Sequence, residues 1–185
     1  MNKNVTILSF SERNSGNCAA ISRFLEHYYM QTNVRSYTID SKNFAPCGGC
    51  DYECLKPNSV CPRLTQPQHE VMDRICCSDL VYFIVPNYCG YPCANYFAFN
   101  ERSVGYFNLN RNRMDQYMSV PKRFIVVSNT AGDPFRAAMS QQTAKEPDIL
   151  YLQSSKYHKR SIAGDLLESE AVKADLEAFL RTRPI

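Results

Sequence analysis

The stretch that most constrains the fold of this chain is its beginning. An apolar run over residues 5–10 leads directly into a polar loop, residues 11–16, and then into a pattern that predicts a helix. A strand, a loop and a helix in immediate succession bring backbone N–H groups and a helix N-terminus to one point, which favours an anion there. Ser15 offers a simpler interpretation, since its hydroxyl could serve only as the helix cap.

The rest of the chain repeats the alternation of strand and helix. Apolar runs predict further strands over residues 34–39, 79–85, 123–127 and 149–152, with Pro86 ending the third strand. The helical stripes predict helices that include residues 21–29, 65–76, 96–99, 134–145 and 172–180. This pattern predicts the α/β class, a doubly wound five-stranded parallel sheet, with residues 1–185 as one domain.

Composition excludes several classes of function. The net charge is +3 and the basic residues are scattered, apart from the short cluster at 156–160, so we expect no nucleic-acid partner. No apolar run approaches the length of a membrane span, and the first residues lack a signal-peptide pattern, so we expect a cytoplasmic protein without a membrane partner. The three histidines are isolated, which disfavours hydrolytic chemistry.

The loop after the first strand lacks both the nucleoside-triphosphate and the dinucleotide glycine motifs. A hydroxyl-rich loop at this place favours the monophosphate of FMN. Residues 11–17 resemble the S-x-R-x-x-S-x-[NT] phosphate loop of the NADPH-dependent FMN reductase family. That resemblance implies a flavodoxin-like sheet with strand order 2-1-3-4-5, and FMN phosphate contacts from Ser11, Arg13, Ser15, Asn17 and Cys18.

Two further loops extend this resemblance. Residues 86–92 resemble the P-x-Y loop that lies along the flavin ring in that family, and residues 128–132 occupy the place of small residues at the other edge of the ring. The implied ring contacts are Pro86, Asn87, Tyr88, Cys89, Gly90, Ser128, Asn129, Thr130 and Gly132. Turn residues are also common at strand ends without any ligand, so that alternative stays open.

A resemblance to the family's dimer-forming helix lies at residues 100–102. Glu101 stands where the family has aspartate, and Arg102 follows it. The resemblance implies a homodimer or a dimer of dimers, while the alternative is an ordinary surface charge pair.

Nine cysteines are many for a chain expected in a reducing compartment. Four of them lie in the loop at residues 46–62 with the spacing C-x2-C-x3-C-x6-C, namely Cys47, Cys50, Cys54 and Cys61. Four thiolates can bind a 4Fe-4S cluster or zinc, and the loop resembles that of the iron-sulfur flavoprotein branch, with one residue inserted. Free or reversibly oxidised thiols are the other alternative.

The remaining cysteines divide into two groups. Cys18, Cys76 and Cys77 fall on predicted helices, where we expect buried small side chains. Cys89 and Cys93 flank the loop expected at the flavin ring, where either packing or a redox role is open.

The family resemblance implies an FMN-dependent NAD(P)H oxidoreductase. Nicotinamide would give a hydride to flavin N5, and the electrons would pass to a small-molecule or redox-protein acceptor. No protonatable catalytic residue is then required. The alternative function is a non-nicotinamide electron carrier in which the cysteine loop is the working part.

Overall fold

The computed structural model of the protein describes residues 3–57, 59–63, 67–129 and 133–183. Its strands are β1 (Asn4–Ser9), β2 (Asn33–Thr38), β3 (Leu80–Tyr88), β4 (Tyr91–Pro92), β5 (Lys122–Ser128) and β6 (Asp148–Gln153). Its α-helices are α1 (Asn17–Tyr28), α2 (Pro67–Cys76), α3 (Ala94–Leu109), α4 (Arg113–Ser119), α5 (Asp133–Ser140) and α6 (Glu170–Arg181). Among the described helices, none has the length and apolarity needed to cross a membrane.

The long strands form a parallel sheet in the order β2-β1-β3-β5-β6, and β4 pairs antiparallel with β3. Without the short β4, this is the predicted order 2-1-3-4-5. The fold is therefore α/β and flavodoxin-like, as the sequence predicted.

The central strand β3 explains why both faces of the sheet are covered. Its alternate side chains enter two separate cores. One core, with Val81, Phe83 and Val85, packs against side chains of α2, α3, α4 and α5. The other core, with Leu80, Tyr82 and Ile84, packs against α1 and α6. A nearly unbroken apolar run is what a parallel strand buried on both faces requires.

Several predicted boundaries were wrong. Pro86 does not end the third strand, because β3 continues to Tyr88 and turns back into β4. In this hairpin only residues 87 and 88 pair with residues 91 and 92. Pro86 has no amide hydrogen, but it lies outside the paired residues and does not have to donate a hydrogen bond there. The helix predicted over residues 134–145 ends at Ser140, and the aromatic helix extends over all of Ala94–Leu109.

A buried arginine ties the last elements of the chain together. Arg123 on β5 is fully buried and donates to the Asp148 carboxylate at 2.7 Å and to the Thr182 hydroxyl at 2.6 Å. Its guanidinium also lies 3.7 Å from the ring centre of Phe179 on α6. One side chain thus joins β5, β6 and the end of α6.

We expect Arg123→Met to lower the free energy of unfolding by about 3 kcal/mol, which is the low end for breaking a buried ion pair. The low end applies because the Asp148 side chain is 33% exposed, so water screens part of its charge. Arg136→Met is the matched control, because Arg136 also lies 2.7 Å from its partner, Glu146, but both side chains are exposed. Urea denaturation measures the loss of unfolding free energy in both variants. Equal losses in the two variants would contradict the assigned role of burial.

Lys122, the neighbour of Arg123, is also buried, but its partners are backbone carbonyl groups rather than a carboxylate. Its ammonium group donates to the carbonyl oxygens of Tyr117 and Val120 and lies 4.2 Å from the centre of the Tyr117 ring. Burial lowers the pKa of Lys122 from 10.5 to about 8. Between these two values the unfolded chain holds a proton that the folded chain has released, so stability rises with pH.

We therefore expect the unfolding free energy of the wild type, relative to that of Lys122→Met, to increase from pH 8 to pH 10. Denaturant titrations at the two pH values measure the difference, and the comparison cancels groups common to both proteins. Lys173→Met, which removes an exposed lysine, should show no such change with pH. A relative stability that falls with pH would show that Lys122 is not held with a lowered pKa.

Candidate functional site

The loops after β1, β3 and β5 meet at the carboxyl edge of the sheet, where ligands bind in folds of this topology. The amide of Asn87, near the end of β3, donates to the Ser128 hydroxyl at the end of β5 with a distance of 2.7 Å. On the other side, the backbone of Phe10 donates to the Ile84 carbonyl at 2.9 Å. The three predicted loops are thus fixed next to one another.

The loop after β1 is folded upon itself and leaves the start of α1 without a side-chain cap. The Arg13 amide donates to the Ser11 hydroxyl at 3.1 Å, and the Gly16 amide donates to the Arg13 carbonyl at 3.3 Å. The N-cap residue of α1 is Gly16, no side chain caps it, and no acidic residue lies in the first turn. The interpretation of Ser15 as only a helix cap was therefore wrong. The first-turn N–H groups remain suited to an anion.

A small cavity opens between the loop after β1 and the end of β3. It is lined by Ser11, Arg13, Gly16, Asn17, Cys18, Pro86, Asn87, Tyr88, Val127, Ser161 and Ile162. Seven of the predicted contacts are thus brought together. Ser15, Cys89, Gly90, Ser128 and Asn129 lie in the same loops but do not line the cavity, and Thr130 and Gly132 lie outside the described residues.

The hairpin between β3 and β4 presents an aromatic side chain beside this cavity. Cys89 (φ 54°) and Gly90 (φ 88°) form its two-residue turn, and positive φ at both positions matches the twist of a tight hairpin. Tyr88 before the turn is 64% exposed. Its ring is therefore available for contact with a planar ligand.

Glu12 holds the cavity loop against two other elements. Its carboxylate accepts from the Asn95 amide group at 2.9 Å and from the Ser41 backbone at 2.7 Å. These hydrogen bonds, that from Asn95 above all, lower the pKa of Glu12. The side chain stays charged and positions the loop after β1 against the chain after β2 and the start of α3.

Buried thiols lie beneath the loop. Burial raises the pKa of Cys18 to about 12, so this thiol is neutral. The Cys93 thiol, also buried, contacts the Phe10 carbonyl at 3.5 Å. Cys76 is buried as predicted, whereas Cys77 is exposed, because it follows the last residue of α2 and lies outside its inner face.

A segment between β6 and α6 that sequence reasoning missed covers the loop after β1. We call residues 158–168 the strap. The Arg13 guanidinium donates to the Ile162 carbonyl at 2.8 Å. The Asn17 side chain donates to the Ser161 carbonyl at 2.7 Å and accepts from the Leu166 amide at 3.0 Å. Both ends of the Asn17 amide therefore bind the strap.

The strap also reaches the loop after β5. The Asn129 side-chain oxygen accepts from the Ser161 amide at 3.2 Å and from the Ser154 hydroxyl at 2.7 Å. Gly164 (φ 84°) comes so close that a Cβ atom there would lie 2.9 Å from the Ser15 carbonyl. The sequence signals were this glycine and an unusually long connection between the last strand and the last helix.

The four cysteines predicted as metal ligands line a second cavity, of about 480 Å³, against α3. Gly105 on α3 makes room for them, since a Cβ atom there would lie 3.3 Å from the Cys61 sulfur and 3.8 Å from the Cys54 Cβ. Within the ranges that the structure describes, no three metal-ligating side chains are placed to hold a metal ion. The cysteines share a cavity without the geometry of a metal site.

Arg102 is buried rather than on the surface, contrary to the simpler interpretation. It is 5% exposed and donates to the Ala45 carbonyl at 3.5 Å and the Arg63 carbonyl at 3.2 Å. The two carbonyls lie on either side of the cysteine loop. Arg102 therefore fastens that loop to α3.

Comparison with known proteins gives distant structural similarities. No protein-family model and no curated protein sequence matches the chain. A solved structure of FerB, a flavoenzyme NAD(P)H:(acceptor) oxidoreductase from Paracoccus denitrificans, is 12% identical, with 98% of this chain and 96% of that chain covered and a TM-score of 0.45. An apo structure of the NADH:FMN oxidoreductase EmoB is 12% identical, with 100% and 91% covered and a TM-score of 0.41. We assign the flavodoxin-like class from the strand order of the sheet.

We expect Asn17→Ala to release the strap while the sheet stays folded. The Leu166 amide would lose its acceptor, and loss of a buried partner costs about 1–3 kcal/mol, so exchange of the strap amides should accelerate roughly tenfold. Hydrogen–deuterium exchange by mass spectrometry measures this. Asn14→Ala, an exposed change in the same loop, is the control. Unchanged exchange in the strap would refute the anchoring role of Asn17.

Proposed function

We propose that the protein is an FMN-dependent NAD(P)H oxidoreductase. The observation that carries the proposal is the uncapped N-terminus of α1, which opens beside Ser11 and Arg13 at the carboxyl edge of a flavodoxin-like sheet. A phosphate monoester fits this arrangement, because backbone N–H groups, a hydroxyl and a guanidinium complement its negative charge.

The residues divide the task of holding FMN. Ser11, Arg13, Ser15 and the backbone at Asn17 and Cys18 would bind the phosphate. Arg13 already donates to a strap carbonyl through one nitrogen, and a guanidinium has further N–H groups to donate. The Asn17 side chain would act through the strap, since both of its ends bind there.

The ring would lie along the other two loops. Tyr88 offers an exposed aromatic face, and the glycine of the hairpin turn allows a close approach to the backbone of residues 86–90. Ser128, Asn129, Thr130 and Gly132 are proposed for the opposite edge. When bound, FMN supplies hydride acceptance at N5 and electron transfer to a second substrate, and the chain supplies binding and orientation.

The proposal also specifies a co-substrate, an electron acceptor and an oligomeric state. NAD(P)H is the co-substrate, and the acceptor is a small molecule or a redox protein in the cytoplasm. A homodimer or a dimer of dimers is supported by aromatic side chains exposed at the hairpin and the start of α3, namely Tyr88, Tyr91 and Phe97. We do not propose a 4Fe-4S cluster or zinc, since the described cysteines lack metal-site geometry.

The direct test is reconstitution of the purified protein with FMN, followed by anaerobic addition of NADPH or NADH. We expect stoichiometric binding and loss of the yellow colour with at least one nicotinamide. Protein that takes up no FMN would refute the proposal. Protein that binds FMN but is not bleached by either nicotinamide would refute the reductase activity.

We expect Arg13→Met to weaken FMN binding about 10- to 100-fold, because a hydrogen bond to a charged group contributes about 1.5–3 kcal/mol. Fluorescence titration with FMN and with riboflavin separates the causes. The loss should be confined to FMN, since riboflavin lacks the phosphate. Arg35→Met, on the outer strand β2, is the matched control and should bind FMN as the wild type does. Equal losses for both flavins would exclude a phosphate contact.

A further inference from the structure

The cavity against α3 holds a pair of thiols that the proposed flavin site does not use. We propose that Cys47 and Cys50 form a redox-active dithiol, which a small organic disulfide such as oxidised glutathione converts into an intramolecular disulfide. The inference does not depend on FMN binding, because every residue that carries it lies outside the loops after β1, β3 and β5.

The backbone between the two cysteines is shaped for a short bridge. Gly48 (φ 133°) and Gly49 (φ 70°) both adopt positive φ, which side-chain-bearing residues rarely do, and the chain bends at Cys47 and at residues 49–50. Glycines can adopt the conformations in which the outer Cα atoms of a four-residue turn come within roughly 7 Å, the span that a disulfide can bridge. The two glycines therefore give this C-x2-C pair the freedom to close.

The four cysteines of the cavity are not equivalent. Cys47 is exposed and Cys50 is half-buried. Cys61 and Cys54 are also half-buried and lie against α3 at Gly105. An outer thiol followed by a more protected one is the arrangement of an attacking and a resolving cysteine.

Cationic groups surround the outer pair. Arg63 donates to the carbonyl of Pro46 at 3.4 Å, and its other terminal nitrogen lies 3.7 Å from the place of a Cβ atom on Gly49. Arg102, fixed beneath the loop, is close enough to interact electrostatically with Cys47. Two guanidinium groups next to a partly exposed thiol complement the carboxylates of an approaching glutathione disulfide.

A carboxylate completes the site. The Glu53 side chain, at the start of the short helical turn Glu53–Leu55, lies beside the Cys50 thiol. The site thus contains an attacking thiol and a resolving thiol beside one carboxylate.

The exchange balances without a metal or a flavin. The Cys47 thiolate attacks one sulfur of the small disulfide, the disulfide bond breaks, and the first thiol leaves with one proton. The Cys50 sulfur then attacks Cys47, the mixed disulfide breaks, and the second thiol leaves with the other proton. The dithiol is oxidised by two electrons, and the small disulfide is reduced to two thiols.

The test is incubation of the reduced protein in glutathione buffers of increasing oxidised fraction, followed by alkylation of the remaining thiols and peptide mass spectrometry. We expect two of the nine thiols to be lost together, with the new bond between Cys47 and Cys50. Cys50→Ser should instead accumulate one glutathione on Cys47. Cys77→Ser, which removes an exposed thiol elsewhere, should form the bond as the wild type does.

Other outcomes would overturn the proposal. These are a bond between different cysteines, retention of both thiols in the most oxidising buffer, and loss of both thiols with equal glutathione adducts on each. Stoichiometric iron or zinc in anaerobically purified protein, with the four loop cysteines protected from alkylation, would assign the cavity to a metal instead. FMN binding, measured on the same samples, should be the same in Cys47→Ser and the wild type.

Discussion

The burial of the central strands on both faces is the constraint on which the rest of the structure depends. Because the side chains of β3 alternate between two cores, neither face of the sheet can be left open, and helices must cover both. Parallel strands joined by such helices end at the same edge. The loops after β1, β3 and β5 meet there because of how the core is built, whatever their own sequences.

At that edge the strap covers the loop after β1 and reaches the loop after β5. The strap is bound by the same residues, Arg13 and Asn17, that a phosphate-binding interpretation would assign to a ligand. These hydrogen bonds join the loop after β1 to the strap before any ligand arrives. Preorganisation of this kind lowers the ordering cost of binding.

Sequence reasoning succeeded where the controlling interactions are local or periodic. The apolar runs gave the five parallel strands, and the spacing of Ile21 and Leu25 gave the buried face of α1. It failed where the partner is distant in the chain. Nothing near Asn17 shows that its side chain binds residues 144 and 149 positions away.

The cysteine loop is a second case in which contacts distant in the chain decide the structure. Its spacing indicated four sulfurs in one place, and they do line one cavity, but their separations depend on how Arg102 and Gly105 hold the loop to α3. The sequence left open that Arg102 forms a surface charge pair on its helix. Its burial depends on carbonyl groups 39 and 57 residues away, which no pattern reveals.

The depth of the nine thiols also has a consequence for a cell under oxidative stress. Cys18 lies buried in its neutral form beneath the loop after β1, whereas Cys47, Cys77 and Cys89 face water. Peroxides react with thiolates that they can reach, so damage would begin on the outside of the molecule and spare the buried Cys18 thiol. Protein molecules from an oxidised cell would then carry modified outer cysteines, while the buried thiols remained reduced.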